Sequence, residues 1–196
     1  MQSELTPQAI TGVVLAGGRS RRMGQNKALL QLNGETLLAR AQRLLTGWGC
    51  GRVVVSGLYP DEICIADNGE GPLAGLLACL QQESAPWLLF VPVDMPFMPM
   101  AVLDRLLAAV GEGETQGVTF TPACFPLLLA NTEAVRHCLC CLLGAGERRV
   151  QHFYRTLGLL QLPLTEAELP LFDNTNTPEQ WQAALLRAHH QSEEKE

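Results

Sequence analysis

A loop rich in glycine and basic residues early in the chain has the composition of a phosphate-binding site. It follows a short β-branched run at residues 11–15 and reads L-A-G-G-R-S-R-R-M-G-Q-N-K. Gly17 and Gly18 let the backbone approach a ligand closely, so that main-chain N–H groups can face anionic oxygens. Arg22 and Lys27 would add positive charge. A glycine turn with solvated arginines is the alternative that this spacing leaves open.

A single carboxylate follows the most apolar segment of the chain. Residues 87–93 are nearly all apolar, which is typical of a parallel strand buried on both faces. Asp94 comes directly after them. Proteins commonly hold Mg²⁺ by one or two carboxylates together with substrate phosphates and water. The position therefore predicts Asp94 as a magnesium ligand, and an aspartate that caps the next turn is the alternative.

A polar turn that lies between these two motifs leads into a predicted helix. It reads D-N-G-E-G-P-L-A-G, beginning at Asp67, with Gly71 and Pro72 at the start of the helix. Glycine here would let a flat base approach the backbone. The Asp67 carboxylate could accept hydrogen bonds from the base or the ribose. The turn is therefore a candidate nucleoside site.

The elements that must position these residues alternate between strand and helix. Strand-length apolar runs lie at 11–15, 52–55, 63–65, 87–93, 118–120, 127–130 and 159–162. Segments of helical period lie at 35–45, 72–80, 100–110, 132–143, 147–157 and, after a T-P-E-Q capping box, 177–190. This alternation predicts a single α/β domain over residues 1–190, Rossmann-like, with a mostly parallel central sheet and helices on both faces. Residues 191–196 are predicted to form a frayed acidic tail. Ligands of such sheets bind beyond the carboxyl ends of the strands.

The composition is that of a globular domain that binds a small anionic ligand. The chain has 196 residues, of which 47% are hydrophobic and 17% charged, which excludes a disordered or collagen-like protein. The net charge is -6, and the glycine loop carries the main basic cluster, so no nucleic-acid partner is expected. No apolar run reaches membrane-spanning length, so no membrane partner is expected either. Since the first residues lack the pattern of a signal peptide, we expect a cytoplasmic protein.

A cysteine cluster offers side chains that could bind zinc. Cys138, Cys140 and Cys141 follow His137 directly or closely. Helical spacing would spread these side chains around a helix, and no second cysteine pair follows at a suitable distance. We therefore favour seven reduced thiols without a zinc site.

Four motifs, taken in chain order, resemble those of the molybdenum cofactor guanylyltransferases. They are L-A-G-G-x-S-x-R-M-G-x-[DN]-K, G-P-L-A-G, V-D-M-P-F and N-T-N-T-P. The resemblance spans residues 11–181. The first motif is shared with many nucleotidyltransferases, whereas the combination is more specific. Relatives that use CTP typically carry L-A-A-G in the glycine loop, so Gly17 favours GTP.

The resemblance implies a nucleotidyltransferase that transfers GMP from GTP to molybdopterin, forms molybdopterin guanine dinucleotide and releases pyrophosphate, with Mg²⁺ as cofactor. It implies catalytic roles for Arg22, Lys27 and Asp94, with Asp94 as the metal ligand. The residues implied to bind the nucleotide are Leu15, Ala16, Gly17, Gly18, Lys27, Asp67, Gly71, Pro72 and Asp94. Those implied to bind the acceptor are Arg148, Arg149, Asn174 and Asn176. Molybdoenzymes or their chaperones are implied as partners that receive the product.

Some segments depart from the family pattern. Asn26 stands where the family often has aspartate, and residues 55–58 lack the asparagine that often contacts guanosine. Residues 121–126 resemble the proline loop on the pterin side. Arg148 and Arg149 could also be a solvated helix start. Two alternatives therefore stay open: a nucleotidyltransferase with another nucleotide or acceptor, such as CTP with molybdopterin or a sugar phosphate, and a non-catalytic nucleotide-binding module.

Overall fold

The computed structural model of the protein describes residues 5–17, 26–66, 71–111 and 115–193, and these residues build a seven-stranded sheet, a two-stranded ribbon and the helices around them. The strands are β1 (Ile10–Leu15), β2 (Gln31–Leu32), β3 (Glu35–Thr36), β4 (Arg52–Ser56), β5 (Cys64–Ile65), β6 (Trp87–Pro92), β7 (Gly117–Thr121), β8 (Leu127–Ala130) and β9 (Leu160–Pro163). The α-helices are α1 (Leu37–Trp48), α2 (Pro72–Gln82), α3 (Ala101–Gly111), α4 (Glu133–Gly144), α5 (Val150–Leu157) and α6 (Pro178–Glu193). Short 3-10 helices lie at Pro7–Ala9, Lys27–Leu29 and Leu169–Phe172.

The order of the strands creates a ligand-binding position beside β1. The sheet runs β5-β4-β1-β6-β8-β7-β9, and β1 pairs in parallel with both β4 and β6. Only β8 runs against its neighbours in this described sheet. The chain moves outward from β1 to β4 and β5 and then returns to β6 on the other side of β1. Open α/β sheets bind ligands at such a reversal, beyond the carboxyl ends of the strands.

The central strands are covered on both faces. Residues 10–14 of β1 and 88–91 of β6 are all buried, without the alternation that a strand with one face in water would show. The helices α1 and α2 both pack against β1. They lead to strands on opposite sides of β1, so right-handed connections place them on opposite faces of the sheet. The predicted fold class is confirmed.

The start of α1 differs from the prediction. Thr36 caps the helix by accepting a hydrogen bond from the Ala39 amide at 3.1 Å. Glu35 belongs to β3 rather than to the helix, because Asn33 and Gly34 turn the chain with positive φ angles of 52° and 77°. Asn-Gly is a strong hairpin signal. The residues that follow have a helical period, which instead predicted a helix from residue 35.

The C-terminal helix is longer than predicted. The capping box is confirmed: Thr177 Oγ1 accepts from the Gln180 amide at 3.3 Å, and Gln180 Oε1 accepts from the Thr177 amide at 3.1 Å. The helix α6 continues to Glu193, so residues 191–193 are helical rather than part of a frayed tail. Residues 194–196 lie outside the described part of the chain.

The cysteine cluster lies on α4. All seven cysteines of the chain are free thiols. Cys141 Sγ is 3.5 Å from His137 Nε2, one helical turn away. Within the described ranges, no group of three His, Cys, Asp or Glu side chains is placed to hold a metal ion. The helices of those ranges include none that is long and apolar enough to cross a membrane.

The packing of α1 on the sheet makes a stability prediction. Leu45 is fully buried, and a Cβ added to Gly12 of β1 would lie 3.1 Å from its side chain, so helix and strand are in close contact. We expect Leu45→Ala to lower the free energy of unfolding by roughly 2–5 kcal/mol. Leu186→Ala is the matched control, because Leu186 also lies on a helix but is 65% exposed. Urea denaturation measures both changes, and equal effects would contradict the proposed packing.

Candidate active site

A cavity of about 330 Å³ opens beside the carboxyl ends of β1 and β6. It lies where the strand order reverses, as expected for this fold. It brings together residues from the glycine loop, the start of α2, the loop after β6 and the segment before α6. Its lining residues are Leu15, Ala16, Gly17, Asn26, Lys27, Pro72, Pro92, Val93, Asp94, Met95, Phe125, Asn174 and Asn176.

The loop that carries Asp94 is attached to the segment before α6. Thr175 donates to the Asp94 carbonyl oxygen from its amide at 2.9 Å and from its hydroxyl at 3.3 Å. Thr175 is buried, whereas Asn174 and Asn176 on either side of it line the cavity. An extended segment directs alternate side chains to opposite sides, which explains the Asn-Thr-Asn pattern. The C-terminal motif therefore both supports Asp94 and supplies two amides to the cavity.

Lys27 joins the glycine loop to Asp94. Asn26 caps the short helix Lys27–Leu29, since its Oδ1 accepts from the Ala28 amide at 3.1 Å. From this position Lys27 Nζ lies 3.5 Å from Asp94 Oδ2 and donates a hydrogen bond to Asn176 Oδ1. The Lys27 side chain is 14% exposed and that of Asp94 is 21% exposed. Two side chains that are 67 residues apart in the sequence are therefore in contact in the structure.

Burial and the charge of Lys27 act in opposite directions on the pKa of the Asp94 carboxyl. Burial raises the pKa of the Asp94 carboxyl, and the opposing charge and hydrogen bond of Lys27 do not fully offset this effect. Asp94 is the one carboxylate among the described residues that line the cavity. A cation bound next to it would favour the ionised form. Asp94 is therefore the residue of this cavity best suited to hold a metal, and the oxygens of Asn174 and Asn176 lie in the same lining.

The end of β4 packs closely against the glycine loop. The Ala16 amide donates to the Ser56 carbonyl oxygen at 3.0 Å. Gly57 has a φ angle of +143°, and an added Cβ would lie 2.9 Å from the Tyr59 ring and 3.3 Å from the Gly17 nitrogen. A glycine is therefore required at this contact. The buried hydroxyl of Ser56, at the end of β4, has no hydrogen-bond partner in the described structure.

The predicted acceptor residues on the α5 side lie outside the cavity lining. Gly71 caps α2 with a φ angle of +95°, directly before Pro72, which does line the cavity. A Cβ on Gly71 would lie 4.0 Å from Arg148 Cδ, so Arg148 lies beside the start of α2. Arg149 Nη2 instead pairs with Glu147 Oε2 at 2.7 Å and borders a separate surface depression. The structure places Arg148 near the cavity and does not bring Arg149 into it.

Three predicted residues cannot be placed. Gly18, Arg22 and Asp67 lie outside the described residues. The catalytic role of Arg22 and the nucleotide contacts of Gly18 and Asp67 stay predictions.

Sequence reasoning found Leu15, Ala16 and Pro72 but missed the other apolar residues of the cavity. Pro92, Val93, Met95 and Phe125 line it, and none of them carries a chemical signal of its own. The flat ring of Phe125 comes from residues 121–126, which resemble the proline loop on the pterin side. The other three flank Asp94, so the rule that ligands bind beyond the strand ends could have found them.

The comparisons with known proteins agree with this geometry. A family model described as the MobA-like NTP transferase domain matches residues 12–159. The molybdenum cofactor guanylyltransferase of Xanthomonas euvesicatoria pv. vesicatoria (strain 85-10) is 42% identical over 176 residues, which cover 87% of this chain and 92% of that protein. The molybdenum cofactor guanylyltransferase of Shewanella sp. (strain W3-18-1) is 30% identical, and the match covers 91% of this chain and 96% of that protein.

Solved structures share the fold. Molybdopterin-guanine dinucleotide biosynthesis protein A from Archaeoglobus fulgidus has a TM-score of 0.76 at 20% identity and covers 92% of this chain and 99% of its own. The 2-C-methyl-D-erythritol 4-phosphate cytidylyltransferase from Thermus thermophilus has a TM-score of 0.69 at 15% identity and covers 91% and 98%. At such identities the likeness shows the fold alone. The family model and the Xanthomonas relative nevertheless match most of the sequence, so the resemblance inferred from the four motifs is confirmed, and the chain belongs to the family of MobA-like NTP transferases.

Proposed function

We propose that this protein is a molybdenum cofactor guanylyltransferase that transfers GMP from GTP to molybdopterin and releases pyrophosphate. The observation that carries the proposal is the convergence of Lys27, Asp94 and Asn176 in one cavity next to Gly17. The names of the relatives that match most of the chain support the donor and the acceptor. The product would pass to molybdoenzymes or their chaperones, and the reaction belongs in the cytoplasm, where GTP is available.

The residues of the cavity fit Mg²⁺. Asp94 offers a hard oxygen ligand, and burial raises the pKa of its carboxyl, so a bound cation would favour the ionised form. Mg²⁺ is often held by one carboxylate with substrate phosphates and water, which a cavity with a single carboxylate in its described lining allows. When bound there, the ion would stabilise negative charge on the triphosphate. We propose Asp94 as its protein ligand.

The reaction needs charge stabilisation more than it needs a base. A phosphate oxygen of molybdopterin attacks the α-phosphorus of GTP, and the bond from that phosphorus to the bridging oxygen of pyrophosphate breaks. The attacking oxygen is already anionic, so no proton has to be removed from it. Lys27 lies where it can offset negative charge on the phosphates. Asn174 and Asn176 would hold the acceptor in line for attack.

The fold does not decide whether the donor nucleotide is GTP or CTP. The cytidylyltransferase from Thermus thermophilus has the same fold. The L-A-G-G loop favours guanine, whereas residues 55–58 lack the asparagine that often contacts guanosine in the family. CTP is therefore the second candidate donor, and a direct comparison of nucleotides is needed.

The protein, incubated with Mg²⁺, molybdopterin and one nucleotide at a time, is expected to release pyrophosphate with GTP and much more slowly with CTP or ATP. A base site that hydrogen-bonds its substrate rejects analogues that leave its polar groups unpaired. Coupled detection of pyrophosphate measures the rates, and mass spectrometry identifies the dinucleotide. Equal turnover of CTP would contradict the GTP assignment, and pyrophosphate release without molybdopterin would contradict the acceptor.

A further inference from the structure

Tyr59 connects the two ends of the glycine loop. It lies on the connection between β4 and β5, outside the cavity lining. Its hydroxyl donates to the carbonyl oxygen of Ala16 at 2.8 Å and lies 3.1 Å from Asn26 Oδ1. Ala16 lies near the start of the glycine loop, and Asn26 lies directly before Lys27 at its end. One hydroxyl therefore touches the loop near both of its ends.

The backbone and ring of Tyr59 are held by contacts with β5, Gly57 and the hydrophobic core. Cys64 of β5 holds its backbone, since the Tyr59 amide donates to Cys64 Sγ at 3.1 Å and the thiol lies 3.4 Å from the Tyr59 carbonyl oxygen. The ring packs over Gly57, where an added Cβ would approach it to 2.9 Å. The rest of the ring packs against the hydrophobic core. The hydroxyl is thus a fixed point to which the glycine loop is attached.

The contacts of the hydroxyl with Ala16 and Asn26 lead to groups in the cavity. The Ala16 carbonyl and the Gly17 N–H belong to the same planar peptide, so holding the carbonyl also fixes the direction of that N–H. Asn26 Oδ1 caps the short helix that begins at Lys27. The orientation of that helix decides where Lys27 Nζ lies relative to Asp94. The hydroxyl of Tyr59 therefore sets the spacing between a backbone donor and a cationic side chain.

We propose that Tyr59 is a positioning residue for the triphosphate, because its hydroxyl holds the Gly17 peptide and the Lys27 helix in the arrangement that binds phosphate groups. Donors that are already in place need no reorganisation when the phosphates arrive. The inference rests on the proposed function only in requiring that phosphates bind at the glycine loop. It assigns no role to the base.

Tyr59→Phe removes the hydroxyl and keeps the ring. In the presence of Mg²⁺, the Kd for inorganic pyrophosphate is expected to rise about threefold to tenfold, which is what the loss of one or two modest hydrogen bonds produces. The KM for GTP should rise similarly, with kcat changed by less than about twofold, because the phosphates are held in the ground state and the transition state alike. Calorimetry measures the first quantity and steady-state kinetics the others.

The matched control is Gln42→Met. Gln42 Nε2 donates to Glu62 Oε2 at 2.5 Å and so ties the same connection between β4 and β5 to α1, at a place outside the cavity lining. This variant should bind pyrophosphate like the unaltered protein. If it weakened binding as much as Tyr59→Phe does, a general loosening of the connection would explain the effect and the inference would fail.

Other outcomes also decide the matter. Unchanged pyrophosphate affinity in Tyr59→Phe, whether or not the Tm falls, would reduce Tyr59 to a structural residue and overturn the inference. Absence of pyrophosphate binding by the unaltered protein would overturn it too. Intact pyrophosphate binding without GTP turnover would instead refute the proposed function. The Kd for pyrophosphate of Tyr59→Phe and of the unaltered protein would still test the role of Tyr59.

Discussion

Asp94→Asn is expected to lower the rate of pyrophosphate release from GTP by roughly a hundredfold or more, the loss seen when a single charge-stabilising group is removed from an active site. The amide keeps the shape of the side chain but loses the negative charge that would hold Mg²⁺. Calorimetry should show weaker Mg²⁺-dependent nucleotide binding in the same variant. Turnover like that of the unaltered protein would contradict the role of Asp94.

The loss of activity should not come from unfolding. Burial disfavours the ionised carboxylate of Asp94, as its raised pKa indicates, so a neutral amide removes an unfavourable burial of charge. The backbone contacts of Asp94 with Thr175 do not involve its side chain and stay in place. The amide also removes the carboxylate partner of Lys27, whereas Asn176 Oδ1 still accepts from Lys27 Nζ, so we expect the variant to stay folded with a Tm close to that of the unaltered protein. Asp104→Asn is the control, since Asp104 lies on α3, and its amide oxygen could still accept from Trp48 Nε1.

The position of Asp94 in the cavity lining was predictable from the sequence, because the residue lies directly after a strand that is buried on both faces. A strand buried on both faces has to be apolar throughout, which made β6 visible, and the first polar residue after it marks the carboxyl edge of the sheet. The same reasoning located β1 and the loop that follows it. The position of the cavity beside these two strands was therefore predictable from periodicity and the binding rule for open sheets.

The contacts within the site were not predictable in this way. Nothing in the spacing of Tyr59 and Asn26, 33 residues apart, indicates that their side chains meet. The pairing of Lys27 with Asp94 depends on the capped helix Lys27–Leu29, which is only one turn long and therefore too short to show a periodic pattern in the sequence. Such contacts follow from the packing of loops, and loops lack the periodicity that reveals strands and long helices. Arg149, predicted for the acceptor, pairs with Glu147 outside the cavity lining, and its role towards the acceptor stays a prediction.

Lys27→Met should reduce kcat/KM for GTP by about a hundredfold, because we propose that the ammonium group stabilises charge that develops as pyrophosphate leaves. Methionine keeps most of the apolar stem, so the packing of the short helix Lys27–Leu29 should persist. Because the lysine is 14% exposed, its charge acts with little screening by water, and its loss should be felt in kcat as well as in KM. Steady-state kinetics at saturating molybdopterin separates the two parameters.

The control for net charge is Arg52→Met. Arg52 also carries one positive charge, but it begins β4 at the opposite edge of the sheet, pairs with Glu83 and is 52% exposed. If Lys27 acted only by attracting GTP over a distance, both variants would lose activity. Raising the salt concentration would then remove the difference in activity between each variant and the unaltered protein, because exposed charges are screened beyond about 10 Å. We expect only Lys27→Met to lose activity, and to do so equally at low and high salt. A loss that disappears at high salt would mean that Lys27 attracts the nucleotide without touching its phosphates.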